Sequence, residues 1–149
     1  MSIEKMFAAS NAVYRWDAID FHAAKKSVKK LQKRIAEAFG DNDTNRFAGL
    51  QCKLIHSFYA KALAVKAVTS TRGKYTPGID FDVWSTPGEK LSAIFSLSRR
   101  GYKPKPLKRI YIPKPSGGVR PLSIPTMKDR AMQTLYRFAL EPIAELTGD

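Results

Sequence analysis

From Phe21 onward, apolar residues return every three or four positions: Phe21, Ala24, Val28, Leu31, Ile35 and Ala38. That spacing predicts an amphipathic helix with one buried stripe, capped by Asp20 and stopped at Gly40. A short aromatic lead containing Tyr14 and Trp16 precedes it. DNDTN, residues 41–45, reads as a capping loop. A second stripe of the same period follows through Phe47, Leu50, Leu54, Phe58, Ala62 and Val65, widened by Ile55 and Leu63. It predicts one continuous second helix. Two helices joined by so short a loop form an antiparallel hairpin in which each buries the other's stripe.

The pattern then changes. TSTRGKYTPGID, residues 69–80, has the Thr, Gly and Pro content of a loop, with TPG as a tight-turn signal. Thr86-Pro87-Gly88-Glu89 supplies an N-cap, a first-position proline and an N3 acid, opening a helix that runs through Arg99 and closes at Gly101. From Leu107 to Pro113 the period falls to two, with Leu107, Arg109 and Tyr111 on one face and Lys108, Ile110 and Ile112 on the other. Pro115-Ser116-Gly117-Gly118 makes the turn and Val119 to Ile124 the returning strand of a β-hairpin. Thr126 and Asp129 then predict a capping box for a last helix reaching Leu146, with Met127, Ala131, Leu135, Phe138 and Ile143 inward. The fold class is α+β, predominantly helical. A lone hairpin is marginal, so this one is expected to pack on the helices or on a further part of the molecule.

Composition adds a partner class. The 149 residues suffice for one domain with a modest core, and 44% apolar content argues against wholesale disorder. Twenty-six Lys and Arg against thirteen Asp and Glu leave a net charge of +13, which points to a polyanion, nucleic acid before an anionic membrane surface. The single cysteine, Cys52, excludes an internal disulfide framework and suits a reducing compartment. The first twenty-one residues mix acids into their apolar positions and read as neither signal peptide nor membrane span, so a cytoplasmic protein is expected.

The charge is not spread evenly. Lys25, Lys26, Lys29, Lys30, Lys33 and Arg34 crowd the outer face of the first helix with no acid among them. They form either a solvated face or a contact for nucleic-acid phosphates. Arg100 to Lys128 is twenty-nine residues without an acid. Within it, Lys114 and Arg120 flank the hairpin turn, where Gly117 and Gly118 permit positive φ and leave backbone N–H groups open to an anion. An Arg fork beside a Lys point charge suits a triphosphate or a strand backbone, and the alternative is a merely soluble hairpin tip. Asp80 and Asp82 could share a divalent ion on a strand, but read more simply as loop acids. Cys52 and His56 stand four apart on a helix without further partners, and read as structural. No Ser-His-Asp set, phosphate-binding Walker loop or Cys cluster occurs, so no catalytic and no metal-binding residue is assigned.

LIHSFYAKALAVKAVTSTRGKYTPGID, residues 54–80, and GYKPKPLKRIYIPKPSGGVRPLSIPTMKDRAMQTLYRFALEPIAE, residues 101–145, together resemble the N-terminal part of group II intron-encoded reverse transcriptases, or maturases. Basic loop, PGID, hairpin and IPT-x-x-DR helix occur in the family's order and spacing, and the resemblance covers residues 20–147. It implies an N-terminal extension whose loop, matched by Lys74, Thr76, Pro77, Gly78 and Asp80, contacts template and intron RNA. It also implies that the hairpin and last helix begin the polymerase fingers. Lys114 and Arg120 then match the family's lysine and arginine that hold the incoming nucleoside triphosphate. Two positions depart from the pattern: Phe81 and Ser123 stand where the family favours glycine, which implies different local turns and ligand approach. The family's metal-binding aspartates belong to a later palm strand and a YADD hairpin, and neither occurs in residues 1–149. Magnesium is therefore expected only for a complete polymerase.

These readings divide the chain into a lead, 1–19, a helical extension with an RNA-contacting loop, 20–80, and a partial fingers subdomain, 81–149. The expected RNA surface comprises Lys25, Lys26, Lys29, Lys30, Lys33, Arg34, Arg72, Lys74, Thr76, Pro77, Gly78, Arg99, Arg100, Lys103, Lys105, Lys108 and Arg109. Expected partners are intron and template RNA, a DNA primer, and the palm and thumb of the polymerase, with no membrane. Three functions fit: an N-terminal polymerase fragment inactive alone, one half of a reverse transcriptase completed in trans, or a stand-alone RNA-binding module.

Overall fold

The computed structural model of the protein describes residues 15–148. Most of the lead segment, Tyr14 included, lies outside them. After a 3-10 turn at Trp16–Ala18, helix α1 spans Phe21–Gly40, and the Asp20 carboxylate accepts from the Ala23 N–H at 3.0 Å. Ala24, Val28, Leu31, Ile35 and Ala38 are buried, so the predicted stripe is the packed one. The stop differs. Gly40 is still helical, and the chain turns out through Asn42 at φ 56. Asn42 N–H reaches Phe39 O at 3.1 Å and Asp43 N–H reaches Ala38 O at 3.0 Å, the paired bonds of a Schellman ending.

The second stripe is carried by two helices, not one. Helix α2, Thr44–Ile55, is capped by Asp43, and helix α3, Phe58–Thr69, begins afresh at Ser57. Ser57 has an extended backbone (ψ 130), and its hydroxyl accepts from the Ala60 N–H at 3.4 Å. The chain bends there while the apolar period continues, which is why the stripe alone conceals the break. Helix α3 buries Ala60, Ala62, Ala64, Val65, Val68 and Thr69 and packs on α1, on α4 and on α5, defined below. Its alanines let those neighbours approach.

Helix α4, Pro87–Ser96, opens with a complete capping box between Thr86 and Glu89. It ends at Ser96, three residues short of Arg99, because Leu97 leaves the helix to be fully buried. Strands β1, Lys108–Pro113, and β2, Val119–Ile124, pair antiparallel from Lys108 opposite Ile124 to Pro113 opposite Val119. Helix α5, Met127–Thr147, starts with the Thr126 hydroxyl accepting from the Asp129 N–H at 3.1 Å. Only half of the expected capping box forms, since the Asp129 carboxylate is turned away to other donors. Met127, Ala131 and Leu135 are buried as predicted, joined by Met132, Ala139 and a proline inside the helix, Pro142.

One apolar cluster draws on all five helices, with Ile35, Leu54, Val65, Ile94, Met127, Met132 and Leu135 among its fully buried side chains. The hairpin stands apart from it. Of the strand residues only Ile124 is buried, and Tyr111, Val119 and Leu122 are exposed. The hairpin thus projects from the helices and does not lie on them, in contrast to the first of the two packing arrangements expected of it. Among the described residues no helix is long and apolar enough to cross a membrane.

Candidate nucleic-acid interface

The hairpin tip is built by its turn. Gly117 N–H donates to Lys114 O at 3.1 Å and Lys114 N–H donates to Gly118 O at 2.9 Å. With Gly117 at φ 94, this is a three-residue loop of Pro115, Ser116 and Gly117, in which a left-handed residue restores the strand direction. Gly118 also has positive φ, 77, and a Cβ on either glycine would meet nothing within 4 Å. Conformation, not space, is what requires glycine there. Arg120 pairs with Ile112, and Lys114 lies two residues beyond Ile112. The register therefore puts Lys114 and Arg120 on one face as diagonal neighbours, a separation of about 7–8 Å between backbones. Both are exposed. Ser123 pairs with Arg109 and is exposed on the opposite face.

The other expected cations are also outward. Lys25, Lys26, Lys29, Lys30, Lys33 and Arg34 are all exposed on α1, as are Arg72, Arg99, Arg100, Lys103, Lys105 and Arg109 on the loops and β1. Of these, only Lys105 forms a salt bridge among the described residues, to Asp80 at 3.6 Å. Lys74 and Lys108 are half-buried and lie over aromatic rings, Lys74 5.0 Å from the Tyr75 centroid and Lys108 4.8 Å from that of Phe81.

The loop at residues 72–80 is fastened to the start of α5. Arg130 Nη1 donates to Gly73 O at 3.0 Å, Nε donates to Pro125 O at 3.1 Å, and Nη2 donates to Thr76 O. Burial lowers the Arg130 guanidinium from its ordinary value, and nearby Asp80 opposes that shift. Gly78 is buried where a Cβ would sit 2.7 Å from both the N and Cα of Thr126. Of the loop residues expected to touch RNA, Gly78 therefore packs against backbone, and Thr76 uses its carbonyl for Arg130. Lys74 and Pro77 are half-buried.

Asp129 fastens the other side. Its Oδ1 accepts from the Tyr102 hydroxyl and its Oδ2 from the Lys105 N–H at 3.0 Å. Burial first, then this hydrogen bond and the carboxylate charge, hold the Tyr102 phenol well above its ordinary value. Asp129 and Arg130 thus bind segments on either side of α4 to one helix start. Both residues belong to the IPT-x-x-DR motif, but this role is hidden in the sequence because their partners stand 24–57 positions away.

Asp80 Oδ1 accepts from the Asp82 N–H at 3.1 Å while Oδ2 faces Lys105, which leaves it a loop-forming acid. The Cys52 thiol lies 3.5 Å from His56 Nδ1, and that nitrogen is 2.8 Å from Cys52 O, a local arrangement on an exposed turn. Among the described residues no three His, Cys, Asp or Glu side chains cluster as metal ligands.

A family model described as the N-terminal domain of reverse transcriptase matches residues 16–97. The chain is 31% identical over 123 residues to Protein YkfC of Escherichia coli strain K12, covering 79% of this chain and 32% of that protein. It is 37% identical over 125 residues to the group II intron-encoded protein LtrA of Lactococcus lactis subsp. cremoris, covering 80% of this chain and 20% of LtrA. The chain therefore spans about a third or less of the length of these relatives. With more than half of its residues inside the family match, this chain belongs to the reverse-transcriptase N-terminal domain family, as found in group II intron-encoded proteins.

Proposed function

We propose that the chain binds RNA, template and intron alike, through its exposed cations, and that Lys114 and Arg120 clamp the phosphates of an incoming nucleotide. One observation carries the first part: the cations of α1 and, Lys108 apart, those of residues 99–109 face solvent with a single salt bridge among them. Unpaired surface cations gain by releasing the counterions of a nucleic-acid backbone. Diagonal placement beside a glycine turn supports the second part, since Arg offers a fork and Lys a point charge to the same anion. Joining nucleotides requires the carboxylates of a palm, supplied by the rest of a polymerase or by a separate chain.

The test has two arms. With about six phosphates engaged, the logarithm of single-strand RNA affinity falls against log salt with a slope near −4. A salt-independent affinity removes the RNA reading. Arg120→Ala should weaken nucleoside triphosphate binding about tenfold or more, as expected for loss of a charge-assisted fork worth roughly 1.5–3 kcal/mol. It should cost RNA affinity far less. Equal losses would favour a plain binding surface over a nucleotide clamp.

A further inference from the structure

Phe81 is the bulky exception in the described backbone. It stands at φ 61, and the only other non-glycine residue there at positive φ is Asn42, a type that tolerates the left-handed region. The turn expected to change where phenylalanine replaces glycine thus has the backbone that glycine favours. Packing does not explain the side chain, because Phe81 is 71% exposed. The Phe81 N–H donates to Gly78 O at 3.1 Å, which fixes the turn, and the Lys108 ammonium lies 4.8 Å from the ring centroid. The ring is thus held in water where the fastened loop meets the base of the hairpin, with Lys105 paired to the adjacent Asp80. Non-glycine residues held in the left-handed region cluster at ligand clamps and other functional sites.

We propose that Phe81 is a base-stacking residue for single-stranded RNA, taking one nucleobase on the ring face that Lys108 leaves open. The inference rests on the RNA-binding reading and adds a contact that phosphate attraction alone does not supply. Any base can stack on an aromatic face, and the neighbouring cations follow the backbone on either side. A protein partner is less well matched, because Arg99, Arg100, Lys103, Lys105, Lys108 and Arg109 crowd the adjoining segment.

Three proteins decide it: the unaltered chain, Phe81→Gly and Phe81→Trp. Each is titrated by fluorescence anisotropy with a single-stranded oligoadenylate and with a base-free ribose-phosphate oligomer of equal length. Phe81→Gly relieves the left-handed strain, so its thermal midpoint should hold or rise. Its oligoadenylate affinity should nevertheless fall by about fivefold or more, and Phe81→Trp should retain the parent affinity. Affinity for the base-free oligomer should be the same in all three. Two results overturn the inference: undiminished oligoadenylate binding by Phe81→Gly, as a protein-docking ring would give, or an equal loss on both oligomers. Salt-independent binding by the unaltered chain would instead remove the RNA-binding reading itself, and this inference with it.

Discussion

Gly78 shows how a single hydrogen in place of a methyl positions a loop. A Cβ there would lie 2.7 Å from two backbone atoms of Thr126 and 2.9 Å from Pro125 C, none of which can yield as a side-chain tip could. Gly78→Ala is expected to cost roughly 1–3 kcal/mol in urea unfolding. Gly88→Ala is the control: a Cβ there meets nothing within 4 Å, and alanine suits the helix, so its midpoint should hold or rise. Tyr102 offers a pH readout at the same seam. Its phenol is raised from the ordinary 10.0 by burial and by Asp129, so the folded chain keeps the proton that an unfolded tyrosine releases. That contribution is full below pH 10.0 and lost as pH rises towards the folded value. Tyr102→Phe should lower stability at neutral pH, by stripping Asp129 of a donor, and should flatten the alkaline decline. An alkaline decline as steep as the parent's would show that another group causes it. None of this seam could be read from the chain: PGID and DR are visible as motifs, but nothing in their residue types says that one will rest against the other.

At the level of elements, legibility followed the strength of local rules. Helix α1 and the β-hairpin could be read because a sustained period of 3.6, a change to period two and a Pro-Ser-Gly-Gly turn each leave few alternatives. The break between α2 and α3 left no such mark. Residues 55–58 hold neither Gly nor Pro, and Ser57 has Ala60 where a capping box would place Glu or Gln. The end of α4 is set by a tertiary contact, the burial of Leu97, which no local pattern carries. Ser57 therefore supplies the α3 cap on its own, through one hydroxyl, and Ser57→Ala should cost about 1 kcal/mol in the same unfolding measurement. Ser57→Asn, which can still accept from the α3 N–H groups, should recover most of it. A neutral Ser57→Ala would mean that packing of Leu54, Ile55 and Ala60 alone sets the bend.

At the scale of the whole molecule, the surplus of +13 is distributed in unequal parts. On α1, Lys29 and Lys33 line a cleft shared with Glu141 and Glu145 of α5, whose carboxylates offset part of their field. Lys26, Lys30 and Arg34 form the neighbouring row, one turn apart and outside the lining of that cleft, and neither row has a salt bridge among the described residues. The two rows look equivalent in the sequence, because the acids that distinguish them lie more than a hundred residues away. If α1 contacts RNA phosphates, the free row should do most of the work. Replacing Lys26, Lys30 and Arg34 together by Gln should make the salt slope of RNA binding shallower by about 2, at roughly 0.7 for each phosphate that is no longer neutralised. It should leave thermal stability unchanged or slightly higher at low salt, since the substitution removes like-charge neighbours one turn apart. Lys29→Gln with Lys33→Gln should change the slope by clearly less per residue. Equal changes per residue from the two rows would mean that Glu141 and Glu145 do not bias the surface. No change from the free row would assign α1 to a solvated face and leave the loops and hairpin as the RNA-binding part.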